Sequence, residues 1–184
     1  GIAAANGRVS LRIALIAAGL RAEDEVIVPP YTFFSTASAV VEANAVPVFA
    51  DIDLNTFNID PNAIDPAITP RTRAVIPVHF AGQPADMDAI MAVAERHKLT
   101  VIEDAAHAHG ATCKNRPAGS IGHLGSFSFQ SSKNHTAGEG GIIITNDDAL
   151  AESCRSIQKC GRIPKGVWYE HHVMSGNYRL GEFQ

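Results

Sequence analysis

A lysine, Lys133, sits inside a polar, glycine-rich stretch, Ser131-Ser-Lys-Asn-His-Thr-Ala-Gly-Glu-Gly140. Upstream, the apolar run Thr100-Val-Ile-Glu-Asp104 ends on a carboxylate, and Asn6-Gly7 precede a stretch with helical apolar spacing. That start would present the backbone N–H groups of residues 8 to 10 at a helix N-terminus, which attracts phosphate through its dipole and unpaired donors. A carboxylate and a lysine beside such a terminus would complete a site for an anionic aromatic aldehyde. Pyridoxal phosphate (PLP) requires that set: a lysine to bond the aldehyde, an acid facing the pyridinium nitrogen, and a phosphate cradle. On spacing alone the bland readings compete, because a loop lysine is usually a solvated surface charge and Asp104 could be an N-cap or a salt-bridge partner.

The elements that must position these residues alternate. Val9, Ile13, Leu15, Ile16 and Leu20 suit one buried helix face after the Asn6-Gly7 cap. Glu25-Val-Ile-Val-Pro29 reads as a buried strand stopped by prolines, Phe34 to Ala45 as a helix, and Val46 to Ala50 as a strand. Asp60 caps a short helix, Ala74 to His79 is a strand, Asp86 to Lys98 is an amphipathic helix, and Thr100 to Asp104 is a strand. His107 to Gly125 reads as a loop; two apolar segments follow, Ser126 to Gln130 and Gly141 to Thr145. A last helix runs from Asp147-Asp148 to about Cys160, and the remainder is irregular. Strands alternating with helices imply right-handed crossovers, hence an α/β fold: a mostly parallel, doubly wound sheet with helices on both faces. In such sheets ligands bind beyond the carboxyl ends of the strands, where Asp104 and the Ser128 to Lys133 segment fall.

Composition narrows the partners. The 184 residues carry 15 Lys plus Arg against 19 Asp plus Glu, a formal charge of −4, with no basic arm of the kind that displaces counterions from nucleic acid. The longest nearly unbroken apolar run, Ile13 to Leu20, is far short of the ~20 residues that cross a bilayer. Neither a nucleic-acid nor a membrane partner is expected. Arg8 and Arg12 ahead of that run could imitate a signal peptide, but helical spacing accounts for them. Cys113, Cys154 and Cys160 are odd in number and in no metal-ligand spacing, which suits a reducing cytoplasm.

Two long motifs change the odds on Lys133. Val101-Ile-Glu-Asp-Ala-Ala-His-Ala-His-Gly-Ala111 and Gly125-Ser-Phe-Ser-Phe-Gln-Ser-Ser-Lys-Asn-His-Thr-Ala-Gly-Glu-Gly-Gly141 closely resemble the DegT/DnrJ/EryC1/StrS family of PLP-dependent sugar and aminocyclitol aminotransferases. Supporting stretches are Asp24-Glu-Val-Ile-Val-Pro-Pro-Tyr-Thr-Phe33, Pro47-Val-Phe-Ala-Asp-Ile-Asp53, Val78-His-Phe-Ala-Gly-Gln-Pro-Ala-Asp-Met-Asp88 and Asn177-Tyr-Arg179. The resemblance covers nearly the whole chain.

It implies fold type I and a set of roles. Lys133 matches the lysine that bonds the cofactor aldehyde, and Asp104 the carboxylate that keeps the pyridine nitrogen protonated. His107 falls near the phenolic oxygen, Ser128 on a phosphate-binding serine, and Phe33 on the aromatic residue that stacks on the ring. Gly7, Arg8 and Val9 occupy the phosphate-binding turn, and Asn177 matches an asparagine that reaches the cofactor phosphate of a neighbouring subunit. The implied protein is therefore a homodimer with shared active sites, taking an amino group from glutamate or glutamine to a keto sugar, often nucleotide-linked, or to a keto cyclitol. The resemblance also implies that residues 1–184 are most of the large cofactor domain, incomplete at the N-terminus and lacking a small C-terminal domain. Two alternatives stand beside this reading: a PLP-dependent sugar dehydratase of the same family, in which His commonly replaces the lysine, and a non-catalytic cofactor- or sugar-binding module.

One motif departs from the family. The turn is usually Gly-Thr followed by small residues, whereas this chain has Gly7-Arg8-Val9-Ser10, so either Arg8 makes a charged contact or Ser10 and the backbone hold the phosphate. Other residues have competing readings. His107 and His109 with Cys113 or His123 could bind zinc, though no second ligand motif accompanies them, and His109 packing structurally is the simpler reading. Phe33 could be ordinary core, Glu139 could serve only its loop, and Trp168, Tyr169, His171 and His172 could line a substrate pocket or mark an exposed segment.

Overall fold

A computed structural model describes residues 1–163, 166–167 and 169–184. The chain opens with strand β1 (Ile2–Ala4) and helix α1 (Gly7–Ala17), whose N-cap Asn6 accepts the Val9 N–H on its side chain at 2.9 Å. Then come β2 (Glu25–Val28), α2 (Ser35–Glu42), β3 (Val46–Phe49), α3 (Pro61–Ala67) and β4 (Thr72–Val75). A 3₁₀ turn (Phe80–Gly82), α4 (Met87–His97), β5 (Thr100–Asp104) and the small hairpin of β6 (Thr112–Cys113) and β7 (Arg116–Pro117) lead to β8 (Leu124–Ser128). Strand β9 (Gly141–Ile144) and helix α5 (Asp148–Gln158) complete the regular elements. Aspartates start three of the helices: Asp60, Asp86 and Asp147 each accept an N–H of the first turn, which satisfies donors that the helix itself cannot.

The seven-stranded sheet runs β1-β9-β8-β5-β4-β2-β3. Strands β3, β2, β4, β5 and β8 are parallel, and β9 runs antiparallel between β8 and β1. Alternation along β2 divides the core. Val26 and Val28 face the layer of α1, α2 and α5 with Leu11, Leu15, Ile102, Leu124 and Ile157, while Ile27 faces α3 and α4 with Ile64, Met87, Ile90 and Val101. Helices thus cover both faces, the architecture read from the sequence.

Three details differ from the sequence-based expectation. Ile2–Ala4 is a strand that pairs with β9, because an apolar edge partner needs only three residues. The strand expected at Ala74 to His79 is ordered as Thr72–Val75; its continuation touches β5 through a single bridge, Val78 with Asp104. Within the loop expected from His107 to Gly125, a two-residue turn at Lys114 and Asn115, both with positive φ, closes the β6–β7 hairpin. Among the described residues no helix is long and apolar enough to cross a membrane. The three cysteines are unpaired.

Candidate active site

The carboxyl ends of β5 and β8 meet the N-terminal turns of α1 and α2 around a cavity of about 650 Å³. Asp104, His107, Ser128, Lys133, Phe33, Gly7 and Arg8 all line it, so seven of the nine residues singled out in the sequence converge. The other two lie elsewhere. Val9 packs against the core, and its N–H is taken by Asn6. Asn177 is exposed and bridges to Lys159 on the backbone.

Asp104 is buried at the end of β5. Thr36 of α2 donates its hydroxyl to Oδ2 at 2.8 Å, and the Ala106 N–H reaches Oδ1 at 3.2 Å. Burial pushes this carboxyl above the usual Asp range, and the Thr36 and Ala106 hydrogen bonds and the nearby histidines only partly oppose it. A buried carboxylate so placed calls for a cation on the cavity side.

Lys133 is held by a turn in which Gln130 Oε1 accepts the Ser132 N–H at 2.9 Å and its hydroxyl at 2.6 Å, while the Gln130 carbonyl accepts the Lys133 N–H at 2.9 Å. Burial lowers the Lys133 pKa and the Asp104 charge raises it, with a net downward shift toward the neutral, nucleophilic amine. Burial, followed by the Lys133 charge, likewise lowers His107 and favours neutral imidazole. Asn134 ties the lysine loop to the His107 carbonyl at 3.5 Å.

At the opposite end α1 points into the cavity. Asn6 satisfies the N–H groups of Val9 and Ser10, while those of Gly7 and Arg8 have no partner among the described residues. A Cβ built at Gly7 would lie 2.7 Å from Ser128 Cβ and 3.1 Å from its Oγ, so glycine is what lets the serine hydroxyl stand beside the helix start. Arg8 Nη1 contacts Glu42 at 3.3 Å, and the guanidinium lies over the Phe34 ring at 5.1 Å. The charge introduced by the Gly-Arg departure is therefore committed to α2. Nor does Ser10 face the cavity; its hydroxyl is buried against β8.

Phe33 is 63% exposed at the cavity rim beside Phe34, which removes the core reading. Glu139 also lines the rim. His109 packs among Phe127, Phe129 and His135, and no group of three or more His, Cys, Asp or Glu among the described residues could hold a metal. His171 and His172 are exposed, His171 Nδ1 lying 2.6 Å from the Cys160 carbonyl; Trp168 lies outside the described residues. Sequence reasoning missed Thr36 and Gln130, whose roles depend on side-chain contacts that no local pattern announces.

The cavity fits PLP. An undercompensated carboxylate, a partly buried lysine and a donor-lined cradle that a single Cβ at Gly7 would fill are the three features it needs.

Residues 1–184 match the profile of the DegT/DnrJ/EryC1/StrS aminotransferase family. The whole chain is 49% identical to 44% of the putative L-glutamine:3-amino-2,3-dideoxy-scyllo-inosose aminotransferase of Streptoalloteichus tenebrarius, and 52% identical to 49% of the pleiotropic regulatory protein of Geobacillus stearothermophilus. Among solved structures, NtdA from Bacillus subtilis with bound cofactor PMP superposes with a TM-score of 0.90 at 36% identity, covering 97% of this chain and 40% of that one. The chain spans about half the length of the curated relatives it matches. It belongs to the DegT/DnrJ/EryC1/StrS aminotransferase family.

Proposed function

We propose that these residues form the cofactor domain of a PLP-dependent aminotransferase that moves an amino group from glutamate or glutamine to a keto sugar or keto cyclitol. The observation that carries this reading is the convergence of Lys133, Asp104 and His107 with the α1 N-terminus and Ser128 on one cavity. In it, the Gly7 and Arg8 N–H groups and the Ser128 hydroxyl would hold the phosphate, Asp104 would serve the ring nitrogen, His107 the phenolic oxygen and Phe33 the ring face. PLP supplies an aldehyde that captures an amine and a cationic ring that takes up electron density. Lys133 Nζ, kept toward neutrality by burial, accepts the proton leaving the donor carbon and returns one for the amine product. A cationic ring nitrogen facing Asp104 would favour its ionised form and offset the burial that raises it. Reversal on the ketone completes the transfer.

Lys133 argues against the dehydratase, where histidine is common at this place. The reading extends to a cytoplasmic homodimer in which Asn177 serves the neighbouring subunit's phosphate, with a second domain shaping acceptor choice. The relative named a pleiotropic regulatory protein supports a second reading, a cofactor-holding regulator without turnover. Supplying the intact, PLP-loaded protein with glutamate or glutamine and a panel of nucleotide-linked keto sugars and keto cyclitols separates the two. An aminated product made by wild type and absent with Lys133→Ala is expected. Cofactor binding without transfer to any acceptor would favour the regulator, and a protein that takes up no PLP would sink both.

A further inference from the structure

We infer that a buried hydroxyl pair, Ser10 on α1 and Ser126 on β8, is the positioning device that aims the phosphate cradle; this rests on the cofactor reading above. The two side chains are 0% and 1% exposed, and their oxygens are 2.5 Å apart in an interface otherwise made of Leu11, Ala14, Leu15, Leu124 and Ile143. Ser10 Oγ donates to the Gly7 carbonyl at 2.7 Å, so the proton between the hydroxyls is that of Ser126. The chain Ser126 to Ser10 to Gly7 thus ends on the residue whose own N–H opens into the cavity. Ser126 Oγ lies 3.4 Å from that carbonyl, but its one proton goes to Ser10, so the anchor reaches Gly7 by a single path.

Strand geometry turns this anchor into a ruler. Residues two apart on β8 share a face, so Ser126 grips the first turn of α1 while Ser128, one pleat further, stands beside Gly7 at the cavity. Fixing Ser126 to Ser10 therefore fixes the Ser128 hydroxyl relative to the Gly7 and Arg8 N–H groups. Gly141, paired with Ser128, allows β9 to pass the same turn, because a Cβ there would lie 2.5 Å from the Asn6 carbonyl. Missing Cβ atoms permit close approach but give no direction; the hydroxyl chain gives it. With the Arg8 guanidinium drawn to Glu42 and Phe34, recognition of a dianion depends on how well those neutral donors are aimed.

The test uses the intact protein and compares affinity for PLP with affinity for pyridoxal, which lacks the phosphate, in wild type, Ser10→Ala, Ser126→Ala and the double variant. Each single variant is expected to bind PLP about tenfold more weakly with pyridoxal affinity unchanged. The double variant should be no worse than either single, because a chain broken once is broken. Equal weakening toward both compounds, no weakening, additive losses, or failure of both single variants to fold would overturn the inference. If only one single variant folds, its PLP-to-pyridoxal ratio decides. Wild type that binds neither compound would instead remove the cofactor reading.

Discussion

Two adjacent carboxylates end β5, and they live in opposite circumstances. Glu103 points away from the cavity and accepts from His79 Nε2 at 2.8 Å and from the N–H groups of Gly119, Ile121 and Gly122 at 2.7, 2.6 and 2.6 Å. Because His79 Nδ1 accepts the Ala85 N–H at 3.1 Å, Nε2 is assigned the hydrogen that Glu103 accepts. Burial pushes Glu103 up, but the His79 bond and the backbone donors pull it below the usual Glu range. Asp104, facing the cavity with two donors, is instead held above the usual Asp range by burial. Burial is common to both, so donor supply makes the difference. A closed donor shell marks a structural charge; an open one marks a charge built to meet a ligand.

The sharpest break in that comparison is beyond it, at the lysine. Lys133→Ala should lower amino transfer by more than about a thousandfold, read as initial rate with saturating donor. Asp104→Asn should lower it about a hundredfold while leaving stability at neutral pH unchanged or higher, since the cost of burying a charge at the end of β5 is then removed. Glu103→Gln should do the reverse, costing about 3 kcal/mol of unfolding free energy in a denaturant titration because three buried or partly buried N–H groups lose a carboxylate acceptor.

Acidity separates the pair again in the cofactor-free protein. Glu103, with a lowered folded pKa, contributes stability that is present above 4.5 and lost as pH falls through its folded value. Asp104, with a raised one, contributes stability present below 3.8 and lost as pH climbs to its folded value. Melting temperature against pH should therefore fall less steeply on the acid side in Glu103→Gln, where Glu25, Asp53 and Asp88 still contribute, and decline less above 3.8 in Asp104→Asn. The smallest effect is reserved for Arg8→Ser, which removes a half-exposed contact with Glu42 worth less than about 1 kcal/mol and should leave PLP affinity unchanged. A large loss of affinity there would return the guanidinium to the cradle.

Much of this arrangement was legible because local signals agreed. Asp86 before an amphipathic run and the β-branched stretch ending at Asp104 specify α4 and β5 without tertiary help. Lys133, Asp104 and His107 were visible as a set only through the motifs around them, since nothing in Val101-Ile-Glu-Asp104 says which of two carboxylates turns to the cavity. Thr36 was not legible: its hydroxyl meets Asp104 across 68 residues. Nor were β1, three residues of an edge strand, or the β6–β7 turn, where Lys114 and Asn115 adopt positive φ without glycine. Ser10 read as a candidate phosphate ligand, because a helical start does not reveal which side of its first turn faces a neighbouring strand.

Whether Lys133 is the residue that bonds the cofactor opposite Asp104 can be tested in one step. Borohydride reduction of the PLP-loaded, intact protein, followed by peptide mass spectrometry, should find the phosphopyridoxyl group on the Lys133 peptide and nowhere else. A label on another lysine, or one spread over several surface lysines, would contradict the account.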